Sequence, residues 1–465
     1  VPLVSGTIPD TAVSPEGLPL TSCVSRSWFP TSPPPLPNRS TPPPKWQSAV
    51  AAYRLAPPKP TPYGVLLPDD MFKAWNAAFA GEPCRHPMLA QMPSHQVYLF
   101  DPADEAARPI YRYMPNATTP AGLVTDQIGW RGPPLRHRKP STIRIVFVGA
   151  STTVEAHETP WSYPELVGHW LGVWAAAHGF DLDIQALNAG REGMTSTDIA
   201  AIVRNEVAPM RPALVVYYEG ANQFDLSSIA LGVDGSLRGR TTVPVEQPSW
   251  LASLARYSSI GVRLRSALTL IDDSGNGREP EKPSYAIAWP TGLNEADPDL
   301  ANPSLPVNLP TILHDFDAMR SDLRGVGAEL AVSSFVWLVH DGMILDPLRG
   351  RFIWQQLNRT YWPWRYRDME RLAAFQNRVF EKYARQHGLP FIDVARDMPR
   401  DPGLFADAIH TTPTGVRVRA WIVFQQLVPI IESKLKRGLW PTGSTIEQWP
   451  TFAPRTVSLD CRSTP

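Results

Sequence analysis

The sequence lacks a long apolar run, and it lacks an excess of charge of either sign. A membrane-spanning helix requires about 18 or more consecutive apolar residues, and the longest apolar stretch, 330–339, is interrupted by Ser333 and Ser334. Lys plus Arg and Asp plus Glu each number 44, so no net charge attracts nucleic acid or an anionic membrane. We therefore expect neither a membrane span in this chain nor a nucleic-acid partner.

Metal- and cofactor-binding patterns are also missing. The chain has three cysteines, Cys23, Cys84 and Cys461, and no CxxC pair, so their spacing fits no metal site. There is no HExxH, no P-loop, and no GxGxxG after a predicted strand. Residues 272–277 resemble the start of a calcium loop, but its twelfth position is Pro283 rather than Glu, which favours a turn. We expect no cofactor; the thiols leave open one disulfide with a spare thiol, or three inert thiols.

Proline and tryptophan, in contrast, are abundant, with 51 and 16 residues. Proline is excluded from helix interiors and central strands, so much of the chain must be extended or irregular. Residues 1–62 predict a Pro-rich extended arm, either a spacer or a segment wrapped on the body, and 63–140 predict a loop-rich extension. Because the chain begins with Val1 rather than Met, we expect that a leader or anchor has been removed.

From about residue 143, predicted strands and helices alternate along the chain. The apolar runs predict five strands, at 143–148, 183–187, 213–218, 329–339 and 390–394. Helical periodicity and cap residues predict helices at 164–177, 197–207, 315–323, 368–386 and 413–431. This alternation predicts a three-layer α/β/α flavodoxin-like domain with a parallel five-stranded sheet.

The predicted catalytic domain covers 141–440 and is followed by a C-terminal tail at 441–465. An insertion at about 226–312 separates the third and fourth strands and is far longer than the usual connection of about 2–6 residues. We expect it to cover the mouth of a pocket with its aromatic side chains, which are Trp250, Tyr257, Tyr285 and Trp289. In parallel sheets, ligands bind beyond the carboxyl ends of the strands.

Three residue types suited to acyl transfer follow predicted strands. Ser151 lies on the turn after the first strand, where a serine is exposed and its own N–H can face a developing oxyanion. Gly193 follows the second strand and allows close backbone approach, and Asn222 follows the third and offers a neutral amide donor. Each residue also has an ordinary alternative: a helix N-cap for Ser151, a tight turn for Gly193 and an Asx turn for Asn222.

A fourth segment, 407–410, precedes the final predicted helix and contains Asp407 and His410. Three-residue spacing on a loop can bring the carboxylate to His Nδ1, fix the tautomer and leave Nε2 free to deprotonate a serine. A solvated pair is the alternative. The His340-Asp341 pair at the end of the fourth strand can line a substrate pocket, although a structural role is favoured. Four segments with suitable residues at the strand ends of one sheet favour chemistry over coincidence.

The sequence resembles the SGNH (GDSL-type) hydrolase family. The resemblance rests on Gly-Ala-Ser, Asn-Ala-Gly-x-x-Gly, Gly-x-Asn and Asp-x-x-His, which occur in the family's order at 149–151, 188–193, 220–222 and 407–410. The Thr-Pro-x-Gly at 412–415 is similar to what often follows the family histidine. The resemblance covers about 141–433, and Gln-Ile-Gly-Trp-Arg-Gly at 127–132 is similar to a segment that precedes the domain in longer bacterial members.

The resemblance implies a set of roles. Ser151 is the nucleophile, His410 the general base and acid, and Asp407 the residue that orients the imidazole. The backbone N–H groups of Ser151 and Gly193, with the Asn222 amide, form the oxyanion hole. Ala150 stands where the family usually has Asp, which leaves the class intact but weakens inference about the substrate. The rival pattern Gly-x-Ser-x-Gly is absent from the chain.

The expected activity is that of a serine esterase acting on short-chain, chiefly acetyl, esters through an acyl-enzyme. An O-acyltransferase with the same triad and a catalytically idle carbohydrate-binding module stay open as alternatives. Three features favour a carbohydrate: no long apolar helix for lipid docking, scattered Trp and Tyr able to stack on sugar rings, and a Pro-rich arm like those of exported proteins. We therefore expect an extracytoplasmic enzyme whose partner is an acetylated polysaccharide or glycoconjugate.

Overall fold

The structure is a computed structural model. It describes residues 17–18, 20–37, 98–100, 108–109, 111–113, 116, 123–156, 160–231, 277–346 and 349–450. Several features predicted from the sequence therefore lie outside the described residues: most of the Pro-rich arm, Cys84, Cys461, most of the calcium-like loop and residues 232–276 of the insertion. Cys23 is a half-buried free thiol.

A five-stranded parallel sheet forms the centre of the fold and confirms the predicted class. Its strands are β1 (Thr142–Gly149), β2 (Asp183–Asn188), β3 (Leu214–Tyr218), β4 (Glu329–Ser333) and β5 (Phe391–Ile392). Their order across the sheet is β2-β1-β3-β4-β5, which is the flavodoxin-like order. In the register, Val146 of β1 lies opposite Leu187 of β2 and Val215 of β3. All eight residues of β1 are buried, as expected for a strand covered on both faces.

Eight α-helices accompany the sheet in the described part of the chain. They are α1 (Ser151–Val154), α2 (Tyr163–Ala177), α3 (Ser196–Ile202), α4 (Leu309–Arg324), α5 (Arg351–Gln355), α6 (Tyr366–His387), α7 (Val394–Asp397) and α8 (Pro413–Lys436). Glu165 accepts the Ser162 backbone N–H at the start of α2 (2.7 Å). Thr412 Oγ1 accepts the Gly415 N–H (3.3 Å) and so caps the start of α8.

The predicted fourth strand is too long. The apolar run predicts a strand that continues to residue 339, but β4 ends at Ser333. Beyond it, the side chain of Asn377 on α6 takes the place of a neighbouring strand: Phe335 N–H donates to Asn377 Oδ1 (2.7 Å), and Asn377 Nδ2 donates to the Phe335 carbonyl (2.8 Å). The apolar run is buried as expected. Burial alone therefore does not tell a strand from extended backbone bonded to side chains.

The chain divides into two compact units, each described here by itself. The first comprises Val1–Pro19, Gly220–His314 and Val332–Ile422, and the second comprises Leu20–Glu219, Asp315–Ala331 and Val423–Pro465. The sheet contributes β1, β2 and β3 to the second unit and β5 to the first, and β4 is divided between them.

In the second unit, part of the N-terminal region packs on helices α2 and α8. Thr21 N–H donates to Gln425 Oε1 on α8 (2.6 Å), and the Phe29 ring stacks on Trp170 of α2 with centroids 6.2 Å apart. Trp170 Nε1 donates to the Thr31 carbonyl (3.2 Å). For residues 21–31, these contacts favour the wrapped arrangement over a free spacer.

In the first unit, two aromatic residues of the insertion pack on α6. Tyr285 is buried and donates its hydroxyl to Asp368 Oδ2 (2.6 Å). Trp289 packs edge-on against Phe375 with centroids 5.1 Å apart, and the Arg371 guanidinium lies 4.6 Å from the Trp289 ring. Both aromatics therefore hold the insertion to this helix. The other two aromatics named in the insertion lie outside the described residues.

Candidate active site

The turn after β1 is fixed by close backbone contacts. A Cβ at Gly149 would overlap the Thr153 side chain and the Tyr218 carbonyl, so only glycine fits there. Thr153 Oγ1 donates to that carbonyl (3.1 Å), which ties the turn to the end of β3. Ser151 is half-buried and is the first residue of α1. The chain turns sharply at Glu155, where φ is 48°, and the Glu155 N–H donates to the Ser151 carbonyl (2.8 Å).

The loop after β2 lies against this turn. Asn188 Nδ2 donates to the Thr153 carbonyl (2.8 Å), and Asn188 Oδ1 accepts the Gly190 N–H (3.0 Å). The Arg191 N–H donates to the Gly149 carbonyl (3.2 Å). Side-chain and backbone hydrogen bonds thus hold the second sequence block onto the first, within one unit.

Gly193 completes this loop in a left-handed conformation with φ of 71°. This φ favours glycine, because a Cβ would be strained there. Gly193 is exposed, while Arg191 two residues earlier is buried. The loop therefore presents the backbone at Gly193 on the surface and anchors itself through a neighbouring buried side chain.

In the first unit, Gly220 also lies where only glycine fits. A Cβ there would overlap the side chains of Gln376 and Phe335, and Gln376 Nε2 donates to the Gly220 carbonyl (3.0 Å). The Asn222 side chain that follows is exposed. The Phe224 N–H donates to the Ala221 carbonyl (3.1 Å) and closes a turn around Asn222.

Asp407 and His410 form the pair that their spacing predicts. His410 Nδ1 lies 2.7 Å from Asp407 Oδ2, and the other carboxylate oxygen accepts the N–H groups of Ile409 (2.9 Å) and His410 (2.8 Å). The Leu338 N–H donates to the Ala408 carbonyl (3.0 Å), which ties the loop to the segment after β4. Both carboxylate oxygens are thus occupied, and the imidazole is oriented.

The electrostatics of this pair favour an ionised Asp407. Burial alone would raise the pKa of Asp407, but hydrogen bonds from the His410 ring and from two backbone N–H groups lower the pKa below its ordinary value. The side chains of Asp407 and His410 stay 24% and 35% exposed, so a reacting group has access to the imidazole. A carboxylate on Nδ1 holds the proton there and leaves Nε2 as the acceptor.

The predicted site residues are distributed over both units. Ser151 and Gly193 lie in the second unit, and Asn222, Asp407 and His410 lie in the first. The structure brings together the segments of Ser151 and Gly193 in one unit, and Asp407 with His410 in the other.

The other predicted polar pair does not interact through its side chains in this way. His340 Nδ1 lies 3.0 Å from the backbone carbonyl of Asp341, and the Asp341 N–H donates to Glu370 (2.9 Å). In the part of the chain that the structure describes, no three His, Cys, Asp or Glu side chains group together as a metal site. None of the helices described is long and apolar enough to cross a membrane.

A buried ion pair beside the loop after β2 was missed by the sequence analysis. Arg191 donates to Glu206 through Nη1 and Nη2. The side chains of Arg191 and Glu206 are 1% and 0% exposed. Glu206 follows Ile202 and Val203 on the apolar face of the predicted helix at 197–207. A carboxylate at such a helical spacing indicates a buried partner. The sequence does not indicate which cation supplies it.

No protein-family model matches the chain, and no curated protein matches it. Solved structures similar to the chain include a GDSL-like lipase from Bacteroides thetaiotaomicron VPI-5482, 13% identical over 64% of this chain and 93% of that chain, with a TM-score of 0.31. An acetylxylan esterase from Geobacillus stearothermophilus is 13% identical over 62% and 96%, with a TM-score of 0.34. The acetyl xylan esterase AlAXEase is 12% identical over 62% and 100%, with a TM-score of 0.32.

The GDSL type named for the first of these structures is the family that the four sequence blocks resemble.

Ester hydrolysis, if His410 is the base, is expected to slow as the pH is lowered, because an imidazolium cannot accept a serine proton. Protonation of a histidine ordinarily falls between about pH 5 and pH 8. Asp407, with its lowered pKa, stays ionised across this range, so its protonation causes no second loss of activity there. The measurement is kcat/KM for a p-nitrophenyl ester across the range. The matched control is His340→Ala, which should leave the profile unchanged; a flat profile in the parent protein would contradict His410 as base.

Proposed function

We propose that this chain is a serine ester hydrolase of the SGNH (GDSL) type, with Ser151 as nucleophile, His410 as general base and acid, and Asp407 as the residue that orients the imidazole. The observation that carries the proposal is the Asp407–His410 pair, in which an ionised carboxylate lies 2.7 Å from Nδ1. This arrangement prepares Nε2 to accept a proton. Ser151, on its constrained turn, is the hydroxyl proposed to give that proton.

The proposed reaction has two halves. Ser151 Oγ attacks the ester carbonyl carbon while its proton passes to His410 Nε2, and the tetrahedral intermediate collapses as His410 returns the proton to the leaving alcohol. Water, deprotonated by His410, then attacks the acyl-enzyme and releases the carboxylic acid and the free serine. Ser151 belongs to the second unit and His410 to the first.

The proposed oxyanion hole consists of the backbone N–H groups of Ser151 and Gly193 and the side-chain amide of Asn222. The left-handed conformation of Gly193 and the exposure of both Gly193 and Asn222 support it, because a donor to substrate must be accessible. Fixed donors of this kind act on the charge that develops in the transition state, rather than on the neutral ester.

For the substrate, we propose a short acyl ester, chiefly acetyl, on a carbohydrate, and an extracytoplasmic location. Two sequence features support the carbohydrate: no long apolar run for lipid docking, and Trp and Tyr scattered along the chain. In the first unit, an aromatic cluster borders two site segments: the Trp337 ring lies 4.8 Å from Phe224 and 5.5 Å from Tyr361 between centroids. Trp337 and Phe224 are 4% and 9% exposed, so these two rings pack as core behind the segments of Asn222 and His410.

Ser151→Ala is expected to abolish hydrolysis of p-nitrophenyl acetate and labelling by a fluorophosphonate, because the attacking oxygen is lost. The thermal midpoint should change little, since the side chain is half-buried and small. The matched control is Ser304→Ala, at an exposed serine of the insertion, which should keep both activities. Turnover retained by Ser151→Ala would refute the proposed nucleophile, and an unlabelled, inactive parent protein would favour a binding module.

Asn222→Ala is expected to lower kcat by about 10²–10³ with little change in KM, because the amide acts mainly on the developing oxyanion. Steady-state kinetics on p-nitrophenyl acetate measure both constants. Asn294→Ala, at another exposed asparagine of the same unit, is the control and should leave both unchanged. A rise in KM alone would instead make Asn222 a ground-state binding residue.

The substrate class is tested with p-nitrophenyl esters of increasing chain length beside acetylated xylan and acetylated peptidoglycan. We expect preference for acetate and release of acetate from at least one polymer. The same assay with an added sugar acceptor separates a hydrolase from a transferase, since only a transferase yields acylated sugar. Preference for chains of about eight carbons or more, with no acetate from either polymer, would reject the carbohydrate substrate.

A further inference from the structure

Residues 124–132, which precede the sheet, form a short antiparallel hairpin that the proposed mechanism does not use. Asp126 Oδ1 accepts the Trp130 N–H (2.9 Å), and the Asp126 N–H donates to the Trp130 carbonyl (2.8 Å). Gly129 has a φ of 85°, which the turn requires and glycine allows. The hairpin places two large side chains in the interior: Trp130 is 1% exposed and Arg131 is 3% exposed.

Arg131 binds the end of the nucleophile turn. Its Nη1 donates to the carbonyls of Val154 (3.1 Å) and Glu155, and its Nε pairs with Glu165 (3.0 Å). Val154 is the last residue of α1, so these carbonyls lie at a helix end, where a cation is favourable. The guanidinium therefore fixes the helix that starts at Ser151 from its other end.

The backbone of the hairpin also touches the start of the second loop. Arg131 bridges Asn188, the last residue of β2, in antiparallel pairing. The side chain of Asn188 in turn donates to the Thr153 carbonyl (2.8 Å) and to Ser162 Oγ (3.1 Å). The same arginine is therefore linked to the nucleophile turn by its side chain and to the Gly193 loop by its backbone.

Trp130 reaches the other anchor of that loop. Its Nε1 donates to Glu206 Oε2 (3.0 Å), and Arg191 Nη1 and Arg112 Nε both donate to Glu206 Oε1, at 3.0 and 3.1 Å. Burial alone would raise the pKa of Glu206, but the two arginines and the indole N–H lower it below its ordinary value. A buried carboxylate stays ionised only when its oxygens are fully hydrogen-bonded. The donors therefore hold the Glu206 carboxylate in one position, and that carboxylate in turn holds Arg191.

We infer that Trp130 and Arg131 are positioning residues for the proposed reaction. Through one hairpin, Arg131 sets the turn that carries Ser151, and Trp130, acting through Glu206 and Arg191, sets the loop that carries Gly193. The inference rests on the proposed function, in which Ser151 attacks and the two backbone N–H groups receive the oxyanion. All these residues belong to the second unit. Catalysis is sensitive to such placement, since a shift of about 1 Å can cost about 10²-fold in rate.

The test uses conservative variants of the full chain. Trp130→Phe keeps the ring but removes the N–H that binds Glu206. Arg131→Lys keeps the charge but cannot reach Glu165 and two carbonyls at once. Each variant is expected to lower kcat for p-nitrophenyl acetate by about 10- to 100-fold, with KM within about twofold, because the donors and nucleophile are displaced and the substrate surface is not.

The matched controls change a buried arginine and a buried tryptophan elsewhere in the same unit. Arg144, which is fully buried near the start of β1, donates to Gln185 (3.0 Å) and Glu447 (2.6 Å), away from the strand end that bears Ser151. Trp440 is 6% exposed and belongs to neither loop. Arg144→Lys and Trp440→Phe are expected to lower the thermal midpoint at least as much as the two test variants while keeping kcat.

Amide hydrogen exchange gives a readout that does not need activity. Arg131→Lys is expected to raise exchange in peptides covering 150–156, and Trp130→Phe in peptides covering 188–195. Exchange in α6 (Tyr366–His387) should stay unchanged in both variants. A merely stabilising role would raise exchange throughout the second unit instead, as a global loss of stability does.

The outcomes distinguish a failure of the proposed function from a failure of the positioning role. If the parent protein neither hydrolyses esters nor reacts with the fluorophosphonate, the proposed function fails, and local changes in exchange still support the hairpin as the anchor of both loops. If the parent is active and both variants keep kcat, or change KM alone, the positioning role is overturned. Equal rises in exchange across the second unit would overturn it as well.

Discussion

Burial of β1 along its whole length is the constraint on which the rest of the second unit depends. All eight residues are buried, and β2 and β3 take its backbone hydrogen bonds on both sides. A side chain that reacts with a substrate can therefore lie only beyond the carboxyl end of the strand. Gly149 allows the Thr153 side chain and the Tyr218 carbonyl to approach there, and Ser151 follows in the first turn that reaches the surface.

The same burial makes an unpaired charge unfavourable. This accounts for the carboxylate partners of two buried arginines. Arg144, at the other end of β1, is paired with Glu447, and Arg191 beside the Gly193 loop is paired with Glu206. An arginine fork can satisfy several acceptors in fixed directions, which suits positions where movement must be small. Buried ion pairs add little net stability in general, so fixed geometry is the better account of their use here.

Glu206 and Asp407 are two carboxylates whose pKa is lowered, and they serve different purposes. Glu206 is fully buried and accepts from three side chains, so it holds other residues in place. Asp407 is a quarter exposed, and beyond two backbone N–H groups it binds a histidine that stays accessible. Both carboxylates are ionised for the same reason: burial raises the pKa, but the nearby hydrogen-bond donors lower it by more. Their exposure separates a structural group from a candidate catalytic one.

The sequence alone determined what depends on local spacing: the strand-helix alternation, and the pairing of Asp407 with His410 three residues later. It overestimated β4, because residues 335–339 are as apolar and buried as a strand, while the backbone of Phe335 bonds to the Asn377 side chain instead of a neighbouring strand. The contact of Trp130 with Glu206 joins residues 76 positions apart. Only tertiary packing decides such contacts, because a pattern shows that a polar group is buried but not which distant donor meets it.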